Sequence, residues 1–135
     1  MKIKRIYGFI PVPVFYTDKV KEGFAGVCVG PWVKIRPEYK HDEGLLQHEL
    51  THAKQWWRTL GIHGWLVLFR CKKHIFKSEV EAYAVQVTYC PEHLMLSRVD
   101  LFAGFIADKY GLDVTREEAK TAILNELEKM GVMLA

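Results

Sequence analysis

The chain has no apolar run near the roughly 20 residues that a membrane-crossing helix requires; Gly64–Phe69 is far too short. Cysteine is sparse. Cys28, Cys71 and Cys90 make an odd count, which cannot pair fully and excludes the dense disulfide framework of small exported domains. No export signal is expected: positive charge does precede apolar residues at the start, but Pro11 and Pro13 interrupt them and no small-residue cleavage site follows. There is no long block of one charge. Lys and Arg are scattered and the net charge is +3, whereas nucleic-acid binding goes with a clustered basic face. The densest group, Lys72, Lys73 and Lys77, reads as a solvated helix surface. Internal repeats and low-complexity segments are missing too. These absences describe a soluble protein of a reducing, cytoplasmic compartment, with neither membrane nor nucleic acid as a partner.

What is present fits one domain over residues 1–135. Half of the chain is hydrophobic and 26% is charged, enough apolar material to bury a core without staples. The first forty residues are rich in Val, Ile, Phe, Tyr, Pro and Gly, which favours short strands and turns. Lys2–Ile6, Val12–Tyr16, Gly26–Val29 and Pro31–Arg36 are the strand candidates. Pro31 and Pro37 bracket the last of these, and proline is tolerated mainly at strand ends and sheet edges, so Pro31–Arg36 reads as an edge strand. After His41 the character turns helical. Asp42 can cap a helix running to about Leu60 and stopping at Gly61. An irregular, aromatic region follows from Ile62 to Cys71. Further helices are expected over about His74–Tyr89, His93–Tyr110 and, from a capping box at Thr115, to Met130. Strands first and helices after make an α+β layout.

One motif carries chemistry. His48-Glu49-Leu50-Thr51-His52 has the form H-E-x-x-H. Residues four apart share a helix face, so both imidazoles can reach one metal ion, with Glu49 beside them but displaced from the coordination direction. On a helical wheel Leu46, Leu50, Ala53, Trp57 and Leu60 form a core stripe, and Gln47, Thr51, Lys54 and Arg58 face water. His48, Glu49 and His52 occupy the arc between, as the border of a cleft would.

Two histidines do not complete a catalytic zinc site, which takes three protein ligands plus water. Ser78–Ala84 offers Glu79 and Glu81. Lys77 and Glu81 stand at i, i+4 like a solvated ion pair, whereas Glu79 lies away from that charged side with Tyr83 and Gln86. Glu79 is the better third ligand. Cys71-x-x-His74 and Cys90-x-x-His93 also have chelating spacing, but match the usual zinc fingers poorly.

The segment Leu45–His52 followed by Glu79-x-x-Ala82 resembles the gluzincins, metallopeptidases with H-E-x-x-H on one helix and a glutamate ligand on the next. The short chain is similar to minimal phage and bacterial members of that clan. The resemblance implies a zincin-like fold, with a small twisted N-terminal sheet packed against the motif helix and the C-terminal helices. It implies one Zn2+ held by His48, His52 and Glu79, Glu49 as general base, and a peptide or protein substrate. It also implies an edge strand beside the motif helix where substrate adds, for which Pro31–Arg36 is the candidate. Tyr83 stands where the family often has an acidic residue, which leaves the partner that orients the histidines unassigned. Tyr83, His63, His74 and Tyr39 are candidates for stabilising an oxyanion. A zinc-binding assembly module without hydrolysis, or a latent enzyme blocked by its own segment near Cys28, remain the alternatives.

Overall fold

Alternating apolar residues in the N-terminal third build a four-stranded sheet in the computed structural model, which describes residues 1–134. The strands are β1 (Lys2–Ile6), β2 (Ile10–Tyr16), β3 (Gly26–Val29) and β4 (Trp32–Ile35), in the order β1-β2-β4-β3. Tyr7 and Gly8 join β1 to β2 with positive φ of 52° and 78°, the backbone that a tight hairpin demands. Pro11 and Pro13 are two apart, so their missing donors fall on one edge of β2, and β4 joins that strand only from Val14 onward. β2 and β4 run parallel; β3 and β4 run antiparallel.

This order corrects the expectation for Pro31–Arg36. That segment is not an edge strand: β4 lies between β2 and β3, and the edges are β1 and β3. The flanking prolines end the strand rather than expose its side.

Five α-helices follow: α1 (Glu43–Arg58), α2 (Ile62–Leu68), α3 (Lys72–Val87), α4 (Glu92–Lys109) and α5 (Arg116–Lys129). Asp42 caps α1, its carboxylate accepting from Leu45 N–H at 2.9 Å, and Thr115 caps α5 through Glu118 N–H at 3.0 Å. The region expected to be irregular after Ile62 is a short helix, α2. Gly61, at φ +88°, turns the chain sharply out of α1 and lets a helix restart at once.

Two apolar clusters result. Ile6, Val12, Val14, Val33 and Ile35 from the sheet pack on Leu45, Leu46, Leu50 and Ala53 of α1. The second cluster joins α3, α4 and α5 around Val87, Val99, Ile106, Ile123 and Leu127. α3 packs along α1 and closes the seam between the clusters. Two positions of the α1 wheel depart from expectation: Leu60 is 86% exposed and Thr51 only 4%. Leu60 falls past the end of α1, in the turn to α2, whereas the Thr51 hydroxyl donates to its own helix at Gln47 C=O (2.8 Å) and needs no water. Among the described residues no helix is long and apolar enough to cross a membrane.

Candidate metal centre

The seam between α1 and α3 is where the chain buries its polar residues. His48, Glu49 and His52 from α1 and Ser78 and Glu79 from α3 are each less than a tenth exposed. Helical spacing sets His48 and His52 on one face of α1, with ring centroids 4.9 Å apart. α3 then brings Glu79 across: its Oε1 lies 3.3 Å from His48 Nε2 and its Oε2 lies 3.0 Å from His52 Nε2. Among the described residues, His48, His52 and Glu79 are the one group of three or more His, Cys, Asp or Glu whose ligand atoms converge. Cys71, His74, Cys90 and His93 do not assemble into a second centre.

The donor set fits a divalent ion. Glu79 Oε1 is buried with no hydrogen-bond partner, and an unpaired buried carboxylate oxygen is costly. Two imidazole nitrogens and a carboxylate are zinc-type ligands, and atoms bonded to one tetrahedral ion at about 2.0–2.1 Å stand roughly 3.3 Å from each other. The two His–Glu79 spacings, 3.3 and 3.0 Å, are each close to that length.

The contact that orients His52 was not legible as a motif. His52 Nδ1 lies 2.8 Å from Gln55 Oε1 and 3.1 Å from Ser78 Oγ. Gln55 uses its amide nitrogen elsewhere, donating to Ser78 C=O (3.1 Å) and Glu81 Oε1 (2.8 Å). Its oxygen must therefore accept, which places the proton of a neutral His52 on Nδ1 and leaves the Nε2 lone pair for the centre. Ser78 Oγ donates to the same oxygen at 2.6 Å. The signal available in sequence was Gln55 three residues after His52, and Ser78 immediately before Glu79.

Glu81 sits outside the centre. Arg58 Nη2 donates to it at 2.8 Å, so its partner is the arginine of α1 rather than Lys77. A guanidinium approaching with two nitrogens outcompetes a flexible ammonium one turn away.

Glu49 lies beside the donor group, with Oε1 4.0 Å from His48 Nε2. Burial raises its pKa, while the two histidines pull it down. For Glu79 burial also raises the pKa, but the adjacent His52, and after it His48, hold it far below the ordinary carboxylate range. Burial lowers His52, yet the charge and hydrogen bond of Glu79 outweigh it and lift the imidazole to about 10. His52 and Glu79 therefore stabilise charge on one another.

A cavity of about 1160 Å³ opens onto this group. β3 forms one wall, and a Cβ built on Gly26 would stand 3.3 Å from Glu49 Cγ and 3.1 Å from Lys34 C=O. A larger residue there would press on Lys34 C=O and on the Glu49 side chain. Cys28, from the same face, is a free cysteine whose thiol is pushed up, first by burial and then by Glu49 and Glu79. Arg36 anchors the approach to β3, donating to Phe24 C=O (2.8 Å) and Val20 C=O (2.7 Å).

No family model, curated protein or solved structure matches the chain.

The oxyanion candidates separate in space. The Tyr83 ring packs on His48 at 4.4 Å and its hydroxyl pairs with the Tyr110 hydroxyl at 3.0 Å. Both phenols are raised by burial and then by Glu79, so they remain protonated and able to donate at the cavity wall. Tyr110 was not singled out from sequence, since an aromatic at a helix end carries no signal of its own. His63 is buried and lines the cavity, with Nδ1 2.6 Å from His74 Nε2. Burial, followed by the charges of His52 and His74, lowers His63 to about 4, and burial first also lowers His74. This pair is neutral near pH 7. Tyr39 lies farther out on the cavity wall and is 39% exposed.

Proposed function

We propose that this protein is a zinc-dependent metallopeptidase, similar in its site to the gluzincins. The observation that carries the reading is the meeting of His48, His52 and Glu79 at ligand spacing, with the buried Glu49 carboxylate next to them and a cavity in front. His48 and His52 would hold the ion through Nε2, and Glu79 through its carboxylate. Bound zinc would lower the pKa of a coordinated water toward ~7 and polarise the scissile carbonyl.

The chain's own residues supply the rest. Glu49 accepts a proton from the attacking water as its oxygen bonds to the carbonyl carbon and negative charge passes to the carbonyl oxygen, and delivers that proton to the amine nitrogen as the carbonyl re-forms and the C–N bond breaks. Gln55 and Ser78 hold His52 in the orientation that aims Nε2 inward. The phenol pair of Tyr83 and Tyr110 and the neutral His63 are the donors near enough to the cavity to stabilise negative charge on a carbonyl oxygen.

The substrate-strand role passes from Pro31–Arg36 to β3. Arg36 N–H donates to Ala25 C=O, so by antiparallel alternation the backbone groups of Gly26 and Cys28 point away from β4. A peptide adding to that free edge would run directly past Glu49.

Replacing Glu49 with Gln should lower hydrolysis of a peptide library by about 10²–10⁴-fold, the usual contribution of a general base, while the metal content found by elemental analysis stays at the wild-type value. Full hydrolysis by Glu49→Gln would refute the mechanism. A wild-type protein that takes up no divalent metal would refute the reading altogether.

A further inference from the structure

Eight residues beyond His52, the surface reverses its usual composition. Leu60 is 86% exposed, Ile62 59%, Trp65 61%, Leu68 67% and Phe69 74%. All lie on α2 or at its two ends, and the Trp65 and Phe69 rings stack at 5.8 Å. Side chains this exposed stand clear of the protein rather than lining a groove. Apolar residues scattered singly need no explanation, but a contiguous set marks an interaction surface.

The charge around it identifies the occupant. From Leu50 through Ser78 the sequence contains no Asp or Glu, yet it carries Lys54, Arg58, Arg70, Lys72, Lys73 and Lys77. Arg58 is paired with Glu81 and Lys72 with Asp113, while Arg70 donates to Tyr110 C=O and keeps its charge. Lys73 and Lys77 are exposed, directly after the apolar projection in the chain. A second copy of this chain would bring like charges together across a shared apolar contact. A layer of anionic headgroups over hydrocarbon complements both components. Projecting Trp, Leu and Phe with Lys and Arg beside them is the composition of an element that lies in a membrane interface without crossing it.

We propose that α2 and its two ends dock this protein on anionic lipid bilayers, with Trp65, Leu68 and Phe69 entering the headgroup layer and Lys73 and Lys77 meeting phosphates. This departs from the sequence expectation of no membrane partner, which rested on the absence of a spanning segment. It does not depend on the metal centre. Because His63 and Val67 of α2 also line the cavity, docking sets the candidate site at the membrane surface.

Flotation of the full chain with extruded vesicles tests this, comparing equal parts phosphatidylglycerol and phosphatidylcholine with phosphatidylcholine alone. The protein should float with the anionic vesicles and not with the neutral ones. The variant Trp65→Ser/Leu68→Ser/Phe69→Ser should bind more than about tenfold more weakly, and Lys73→Glu/Lys77→Glu roughly tenfold more weakly at low salt. Circular dichroism of both variants should match wild type, because every replaced side chain is exposed. Failure of wild type to float, or undiminished flotation of the triple serine variant, overturns the proposal. Equal binding to neutral vesicles overturns its electrostatic half. A wild-type dimer that the serine variant converts to monomer, without vesicle binding, assigns the patch to a second copy instead.

Discussion

The α1–α3 seam and the α2 projection depart from ordinary burial in opposite directions. At the seam the protein encloses His48, Glu49, His52, Gln55, Ser78 and Glu79; at α2 it sets Leu60, Trp65, Leu68 and Phe69 in water. The two are separated by one turn of chain at Gly61. Buried polar groups are tolerable where each finds a partner, and most at the seam do, through the His52–Gln55–Ser78 and Gln55–Glu81–Arg58 contacts. Glu79 Oε1 and His48 Nδ1 do not. An unsatisfied buried polar atom lowers stability by about 1–3 kcal/mol, so the seam carries a standing cost that a cation at Glu79 would offset. The α2 side chains carry no comparable folding cost, since they are exposed in the folded and unfolded chain alike. One region is built around what it binds inside the fold, the other around what it meets outside it.

Substitutions at the seam should therefore act on metal affinity in graded steps. The largest effect is expected for Glu79→Ala, which removes one of three ligand groups. Zinc affinity, measured by chelator competition, should fall by more than about 100-fold, the upper range for groups that only support a ligand. Next comes Gln55→Ala, which frees His52 to rotate. Its loss should be about 10–100-fold, with hydrolysis falling and the Glu49-dependent chemistry otherwise intact. Glu81→Ala should cost only a few-fold, because Glu81 reaches the centre solely by accepting from Gln55 and Arg58. If Glu81→Ala matched Glu79→Ala, the ordering would break and the ligand assignment with it.

Much of this seam is legible in the sequence. H-E-x-x-H, the Asp42 cap and the placement of Glu79 away from the charged side of its helix all depend on local periodicity. What could not be read depends on contacts between distant segments. The prolines around β4 say where the strand ends, but which strand lies outermost is decided by β2 pairing with β4 past β3. Glu81 looked like the partner of Lys77 because only its own helix was in view; Arg58 comes from 23 residues away. The α2 helix was missed for another reason. Ile62–Leu68 has no polar face, so no amphipathic period announces a helix, and Gly61 and Gly64 argue locally for a loop. A pattern test built on one buried face fails where apolar side chains point into solvent.

The smallest expected effect is the most direct test of that contrast. Exposed side chains contribute little to folding, so Trp65→Ser/Leu68→Ser/Phe69→Ser should leave the unfolding free energy within about 0.5 kcal/mol of wild type in urea, the range for surface substitutions. Leu50→Ala, 4% exposed between sheet and α1, should cost about 2–5 kcal/mol in the same assay, through lost transfer energy and a residual cavity. The serine variant removes far more hydrocarbon than the alanine variant, so bulk hydrophobicity predicts the reverse order. A loss above about 2 kcal/mol in the serine variant would mean that α2 packs against the rest of the chain in solution. The projection would then be part of the core, and the opposition between a polar interior and an apolar exterior would disappear.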